Sequence, residues 1–151
     1  MKSLKIEIPE GYEIDQTKST FEKIVSKQVI KDIREKIKTI DDAIKHLGEN
    51  DEEVVQLRKL ESVKGLSDAI LNNQIAVVIV KALNDGWVAN WDDSNGYKYY
   101  PFFYLGKNFR YVNYYDWYTG STASSRFCLK NKELAIYAGN QFTEVYKKFM
   151  N

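Results

Sequence analysis

A dense set of aromatic rings is the feature of this sequence best suited to chemistry, and that chemistry is binding. Fifteen of the 21 aromatic residues fall within residues 87–127, a stretch that carries only seven formal charges. Tyrosine and tryptophan combine a large apolar ring with a polar tip. The stretch is therefore either the core of a small β-sheet or a surface that binds a partner, and its residue types fit both.

Residues for covalent or acid–base catalysis are scarce. His46 is the only histidine and Cys128 the only cysteine. A histidine can activate a thiol only where the fold brings the two within hydrogen-bond reach. His46 falls near the end of a short predicted helix, and Cys128 falls on a predicted strand, where a thiol behaves as a small buried hydrophobe. We predict no catalytic residue and no enzyme; a thiol or carboxylate enzyme is the least favoured alternative.

Metal and phosphate sites are not indicated either. One histidine and one cysteine cannot supply a zinc ligand set, and the carboxylates do not follow a calcium-loop pattern. Asp92 and Asp93 could coordinate a cation or accept from a ligand hydroxyl, but they are more typical of the Asp-Asp-Ser-Asn-Gly turn that they open. The glycines of the aromatic stretch lie in separate turns and make no phosphate loop. We predict no metal and no cofactor.

Net charge and hydropathy argue against two classes of partner, nucleic acids and membranes. The 22 basic and 21 acidic residues leave a net charge of +1, which argues against a large nucleic-acid footprint. The longest apolar run, residues 75–80, is far shorter than the roughly 20 residues of a membrane span. The N-terminus lacks the apolar run of a signal peptide. These patterns predict a soluble protein of the cytoplasm, or one packaged into a virion, that binds no membrane.

Periodicity predicts a strand pair at the N-terminus. Residues 4–8 alternate apolar and charged, and residues 9–11 have turn chemistry. A second strand is predicted at residues 20–27, followed by helical turns; the alternative is that this segment starts a helix, because apolar residues from Val29 onward recur at steps of four and three.

Three helices complete the chain as far as residue 85. Thr39 and Asn50 are predicted N-caps, the second for a helix that runs to about Val63. Residues 67–83 fit a buried helix better than a buried strand, because of their length and the stop signal at residues 84–86. The predicted apolar face of this helix contains Ile70, Leu71, Ile75, Val78, Ile79, Ala82 and Leu83.

Beyond Gly86 the composition is typical of strands and turns. An antiparallel meander is predicted with strands at residues 97–104, 109–116 and 124–129. Residues 94–96 are predicted to form a hairpin turn after Trp91, and Pro101 indicates an edge strand or a bulge. A helix over residues 131–149 closes the domain.

Strict alternation would send aromatic rings to both faces of this sheet. One face would hold Tyr111, Asn113, Tyr115 and Trp117, and the other Val112, Tyr114, Asp116 and Tyr118. One layer of helices cannot cover both faces, so some rings are expected to stand in solvent or to meet a partner. The mixture of rigid rings with Ser, Asn and Gly is also that of antibody-type binding surfaces. The residues predicted to bind a ligand are Trp87, Trp91, Asp92, Tyr99, Tyr114, Tyr115, Trp117, Tyr118 and Arg126.

Several segments resemble a group of small uncharacterised proteins from gut Bacteroidetes and their phages. They are IEIPEGYEID (6–15), STFEKIV (19–25), LGENDEEVVQLR (47–58), IVKALNDGW (79–87), SRFCLK (125–130) and ELAIYAGNQF (133–142). The resemblance implies a phage or mobile-element setting. It carries no functional residue to this chain.

The sequence as a whole predicts one α+β domain. Residues 1–85 supply a strand pair and helices that pack against the aromatic-rich sheet of residues 86–151. The predicted function is a non-enzymatic binding module that contacts a protein, glycan or small molecule through its aromatic surface. The alternative is a phage structural or host-takeover protein that acts through subunit contacts, and a nucleotide binder is less favoured. Oligomeric state is left open.

Overall fold

Six α-helices and two pairs of antiparallel strands make up the part of the chain that the computed structural model describes, residues 7–20, 23–28, 32–120 and 124–151. This is the α+β class predicted from the sequence. Two compact units are present, Met1–Asp32 and Ile33–Asn151. Within the described residues no helix is long and apolar enough to cross a membrane.

The N-terminal unit contains one short strand pair. Strands β1 (Tyr12–Ile14) and β2 (Ser26–Gln28) pair antiparallel. The strand predicted at residues 4–8 lies mostly outside the described residues, and its described part, residues 7 and 8, is not in a strand. Pairing begins instead after the predicted turn, where Gly11 has a φ of +83° and the N–H of Tyr12 donates to the carbonyl of Pro9.

Capping signals locate the first helices of the second unit. Helices α1 (Ile33–Lys36), α2 (Ile40–Leu47), α3 (Glu52–Glu61) and α4 (Asp68–Asn84) follow in order. Thr39 caps α2 as predicted, and Asp42 completes the capping box. The cap of α3 is Asp51 and not Asn50, because the Asp51 carboxylate accepts the N–H of Glu53 at 3.0 Å.

Helix α4 lies at the centre of this unit, with α2, α3 and α6 packed against it. Its β-branched residues 77–80 are all buried within the helix, which confirms the prediction of a buried helix over that of a buried strand. Ile70, predicted to face inward, is 52% exposed, because the buried part of α4 begins only at Asn72. The helix ends at Asn84, and its C-cap Asp85 has a left-handed conformation and is followed by Gly86 at a φ of +81°.

The predicted C-terminal helix is divided in two. Helices α5 (Lys132–Gln141) and α6 (Thr143–Met150) meet at Phe142, whose backbone leaves the helical region while its ring is buried. The Thr143 hydroxyl donates to the carbonyl of Gly139 at 2.6 Å, and this bond competes with continuation of the helix.

The aromatic stretch forms a two-stranded sheet, not the predicted three-stranded meander. Strands β3 (Lys98–Tyr104) and β4 (Arg110–Trp117) are present, but residues 124–129 hold a 3₁₀ turn (Ser125–Phe127) and one isolated bridge between Leu129 and Tyr99. Turn chemistry prevails there because Ser124 adopts a φ of +87° and its hydroxyl accepts the N–H of Arg126.

The predicted hairpin turn at residues 94–96 is also wrong, because Trp91 is not in a strand. That turn leads from a loop into β3. The prediction for Pro101 is confirmed: both strands of a two-stranded sheet are edges, and a bulge follows at the next residue.

Candidate functional site

A β-bulge decides which rings of β4 share a face. Phe102 lies opposite Asn113, and Phe103 lies opposite Tyr111, so Val112 is an extra residue without a partner of its own. The strict alternation predicted for this strand is therefore wrong on one side of Val112. Tyr111 joins Tyr114 on one face of the hairpin, whereas the prediction separated them.

The inner face of the hairpin is the face that packs on α5 and α6. Phe103 is 5% exposed, and its ring lies 5.9 Å from that of Tyr111 and 4.7 Å from that of Tyr146 in α6. The rings of Tyr99 and Tyr114 meet edge to face at 5.7 Å. These contacts make the inner face part of the hydrophobic core.

The opposite side of the hairpin is uncovered except at its start, where Lys98 and Tyr100, which lie opposite Trp117 and Tyr115, are buried. We name as the outer aromatic face the five large side chains that stand there between 43% and 54% exposed: Phe102, Tyr104, Val112, Tyr115 and Trp117. The Tyr115 and Trp117 rings are nearly parallel, with centroids 6.0 Å apart. The Arg110 guanidinium lies 4.6 Å from the centre of the Tyr104 ring. These apolar surfaces remain in water within the described part of the fold.

One end of the same side is covered by the chain itself. Lys98 pairs with Trp117 across the hairpin, yet it is only 2% exposed. Its ammonium donates to the carbonyls of Gly96 at 2.7 Å and Asp93 at 3.2 Å and lies 5.4 Å from the centre of the Trp91 ring. These hydrogen bonds and the cation–π contact therefore hold the loop of residues 91–96 against the start of β3.

Cys128 lies beside this covered end. Burial raises the pKa of its thiol, against the opposing effects of the Lys98 charge and of a hydrogen bond with the Tyr100 side chain. The thiol donates to the carbonyl of Ser125 at 3.0 Å. His46 meets a different residue, the carboxylate of Asp85, at 2.9 Å. The only thiol and the only imidazole are thus engaged with separate partners.

A crevice of about 220 Å³ lies between α4 and the 3₁₀ turn. Trp87, Trp91 and Arg126 line it together with Glu53. The Glu53 carboxylate accepts from Gln74 at 2.8 Å and forms an ion pair with Arg126. The crevice is smaller than the roughly 300–1,000 Å³ of usual ligand pockets, and these charged groups satisfy one another.

The nine residues predicted to bind a ligand therefore fall in separate places. Tyr115 and Trp117 belong to the outer aromatic face, and Tyr99 and Tyr114 to the inner face. Trp87, Trp91 and Arg126 line the crevice, and Asp92 is exposed in the loop that follows Trp91. Tyr118 lies past the end of β4, where its hydroxyl is hydrogen-bonded to that of Tyr97. A binding role for any of them stays a prediction.

Sequence reasoning missed three members of the outer aromatic face. Phe102 and Tyr104 alternate with Phe103 along β3, so a period of two could have placed them together. Val112 reaches this face only because of the bulge; Pro101 indicated an edge strand or a bulge but not which residue of the opposite strand would be the extra one. The outer aromatic face is the candidate functional site.

Comparison of the chain with protein-family models, with curated proteins and with solved structures finds no match. The resemblance to proteins of Bacteroidetes and their phages stays a prediction. Within the described residues, no group of three His, Cys, Asp or Glu side chains is arranged to hold a metal ion.

Proposed function

We propose that this chain is a non-enzymatic protein-binding module and that the outer aromatic face is its contact surface. The observation that carries the proposal is the exposure of five large apolar side chains on one side of a single hairpin. A phage or mobile-element setting, as the resemblance implies, and a cytoplasmic location belong to the same proposal.

The size of this surface supports the proposal. Each ring is about half exposed, and a large aromatic side chain presents roughly 150–250 Å². The five side chains together therefore expose on the order of 400–500 Å². The largest apolar patch on a typical monomer is about 300–600 Å² and is often functional. An area of this size contrasts with single exposed apolar residues, which need no explanation.

The chemistry of the face favours a protein over a nucleic acid. Lys107 and Arg110 are the basic residues of the hairpin tip, and two cations neutralise few phosphates. Aromatic rings lose little conformational entropy when a partner covers them, and protein interfaces are enriched in tyrosine, tryptophan and phenylalanine. A glycan or a small molecule would need convergent polar groups, and Asn113 is the polar side chain that alternates with these rings along β4.

Site-specific photo-crosslinking in the cells that make the protein tests the proposal. A benzophenone amino acid replaces Tyr115 on the outer aromatic face or, as the control, Ile136, which is 39% exposed on α5. We expect a discrete protein adduct from position 115 and none from position 136. Adding Phe102→Ser and Trp117→Ser should remove the adduct, because those changes delete apolar contact area without touching the inner face.

Equal labelling at positions 115 and 136, or an adduct that survives the two serine substitutions, would contradict the proposal. Either result would mean that the outer aromatic face makes no specific contact.

A further inference from the structure

The outer aromatic face has opposite charges at its two ends. Lys107 and Arg110 are exposed at the tip of the hairpin, where the chain turns from β3 into β4. Asp92 and Asp93 are exposed in the loop at the other end, where the buried Lys98 ammonium offsets part of their negative charge. Their position follows from Lys98, which pairs with Trp117 and donates to the carbonyl of Asp93.

These charged ends are electrically separate. Seven residues of β3 span roughly 20 Å at about 3.3 Å per residue. Charges in water are screened over about 8 Å at physiological ionic strength. The acidic and basic ends therefore do not neutralise each other within one chain, and each can attract an opposite charge on a partner.

A surface with an apolar centre, one acidic end and one basic end is complementary to itself. A two-fold axis through the centre of the face would place the basic tip of one copy on the acidic end of the other, twice. The rings of both copies would meet between these two contacts.

We infer that a second copy of this chain covers the outer aromatic face, with the two hairpins antiparallel. This inference rests on the proposed function and specifies its partner. Apolar burial of about 400–500 Å² per copy, or about 800–1,000 Å² in total, is below the roughly 1,200–2,000 Å² of stable specific interfaces, so the dimer is expected to be weak and reversible. Its association is expected to weaken as salt rises, because the end contacts are exposed ion pairs.

Charge reversal at either end provides the test, read by sedimentation velocity over a range of protein concentrations. Lys107→Glu and Asp92→Lys are suitable, because both side chains are exposed and neither substitution changes a buried contact. Each change places like charges at both symmetric contacts, and we expect the dimer dissociation constant to rise about tenfold or more. Lys64→Glu, which makes the same net charge change on an exposed residue elsewhere, should leave association unchanged.

Mixing the two variants gives the decisive result. In a heterodimer of Lys107→Glu with Asp92→Lys, opposite charges meet again at both ends, so association should return to the wild-type value. A chain that carries both substitutions should also dimerise as wild type does.

Three results would overturn this inference: a wild-type chain that stays monomeric at all concentrations, a dimer that is insensitive to either reversal, and variants that do not recover when mixed. The crosslinking experiment distinguishes failure of the dimer inference from failure of the proposed binding function. An adduct at position 115 with a different protein would refute the second copy and keep the binding module, whereas the absence of any adduct would refute the module.

Discussion

Replacing Phe103 with alanine is expected to lower the free energy of unfolding by about 3–5 kcal/mol, whereas the same change at Phe102 should cost less than about 1 kcal/mol. The two residues are neighbours on β3, but Phe103 is 5% exposed and Phe102 is 54% exposed. Removing the Phe103 ring leaves a cavity among Phe109, Tyr111 and Tyr146. Removing the Phe102 ring exposes little that was buried.

Urea denaturation of both variants measures the difference. The same residue type, the same strand and the same substitution make each variant the control for the other. Similar costs at the two positions would mean that the hairpin does not divide into an inner and an outer face, and the outer aromatic face would then be part of the core.

Replacing Gly139 with alanine is expected to destabilise the protein by about 1–3 kcal/mol, although alanine is the better helix former. Gly139 lies within α5, where β4 crosses close to the helix. A Cβ atom built at this position would overlap ring carbons of Tyr111. The ring is held between α5 and Phe103, so the helix or the hairpin must shift to make room.

A double-mutant cycle with Tyr111→Ala isolates this overlap. With the ring removed, Gly139→Ala should become neutral or stabilising by up to about 1 kcal/mol, which is the intrinsic helix preference. If Gly139→Ala costs the same in both backgrounds, the close approach of β4 to α5 is not the reason for glycine there.

Local signals were sufficient to predict most of the helices, but not the division of the C-terminal helix at Phe142. Thr39 and Ser67 accept N–H groups of the helices that they precede, as their types predict, and the error of one residue at Asp51 reflects two adjacent residues that can both cap. The buried helix α4 was predictable because length and a stop signal distinguish helix from strand even where β-branched residues dominate.

The three-stranded sheet predicted for the aromatic stretch was wrong for two reasons, one a local turn and the other a long-range contact. The stretch at residues 124–129 looks like a strand, but serine hydroxyl and backbone turn bonds at Ser124 and Ser125 hold it as a 3₁₀ turn. The position of the bulge at Val112 depends on how Phe103 and Tyr111 pack against α5 and α6. The residue types next to Val112 in the sequence do not determine that packing. The sequence could therefore predict that some rings stay uncovered but could not identify them.

The same limit applies to the candidate site. The prediction that some aromatic rings face solvent followed from one observation: a single layer of helices cannot cover rings on both faces of the sheet. Trp117 and Tyr115, which are exposed, were among the residues predicted to bind a ligand. Trp87 and Trp91 were named with them on residue type alone. The structure separates the two groups, because the loop at residues 91–96 is bound to Lys98 and lies on β3.

Fluorine NMR of the chain labelled with 5-fluorotryptophan tests most directly whether the outer aromatic face is open to a partner. The three tryptophans give three resonances, and Trp117→Phe assigns the one of interest. With a soluble paramagnetic agent and dilute protein, we expect the Trp117 resonance to broaden more than those of Trp87 and Trp91, which are less exposed. The broadening should decrease as a partner covers the face. A Trp117 resonance that is no more accessible than the other two in dilute protein would contradict the account.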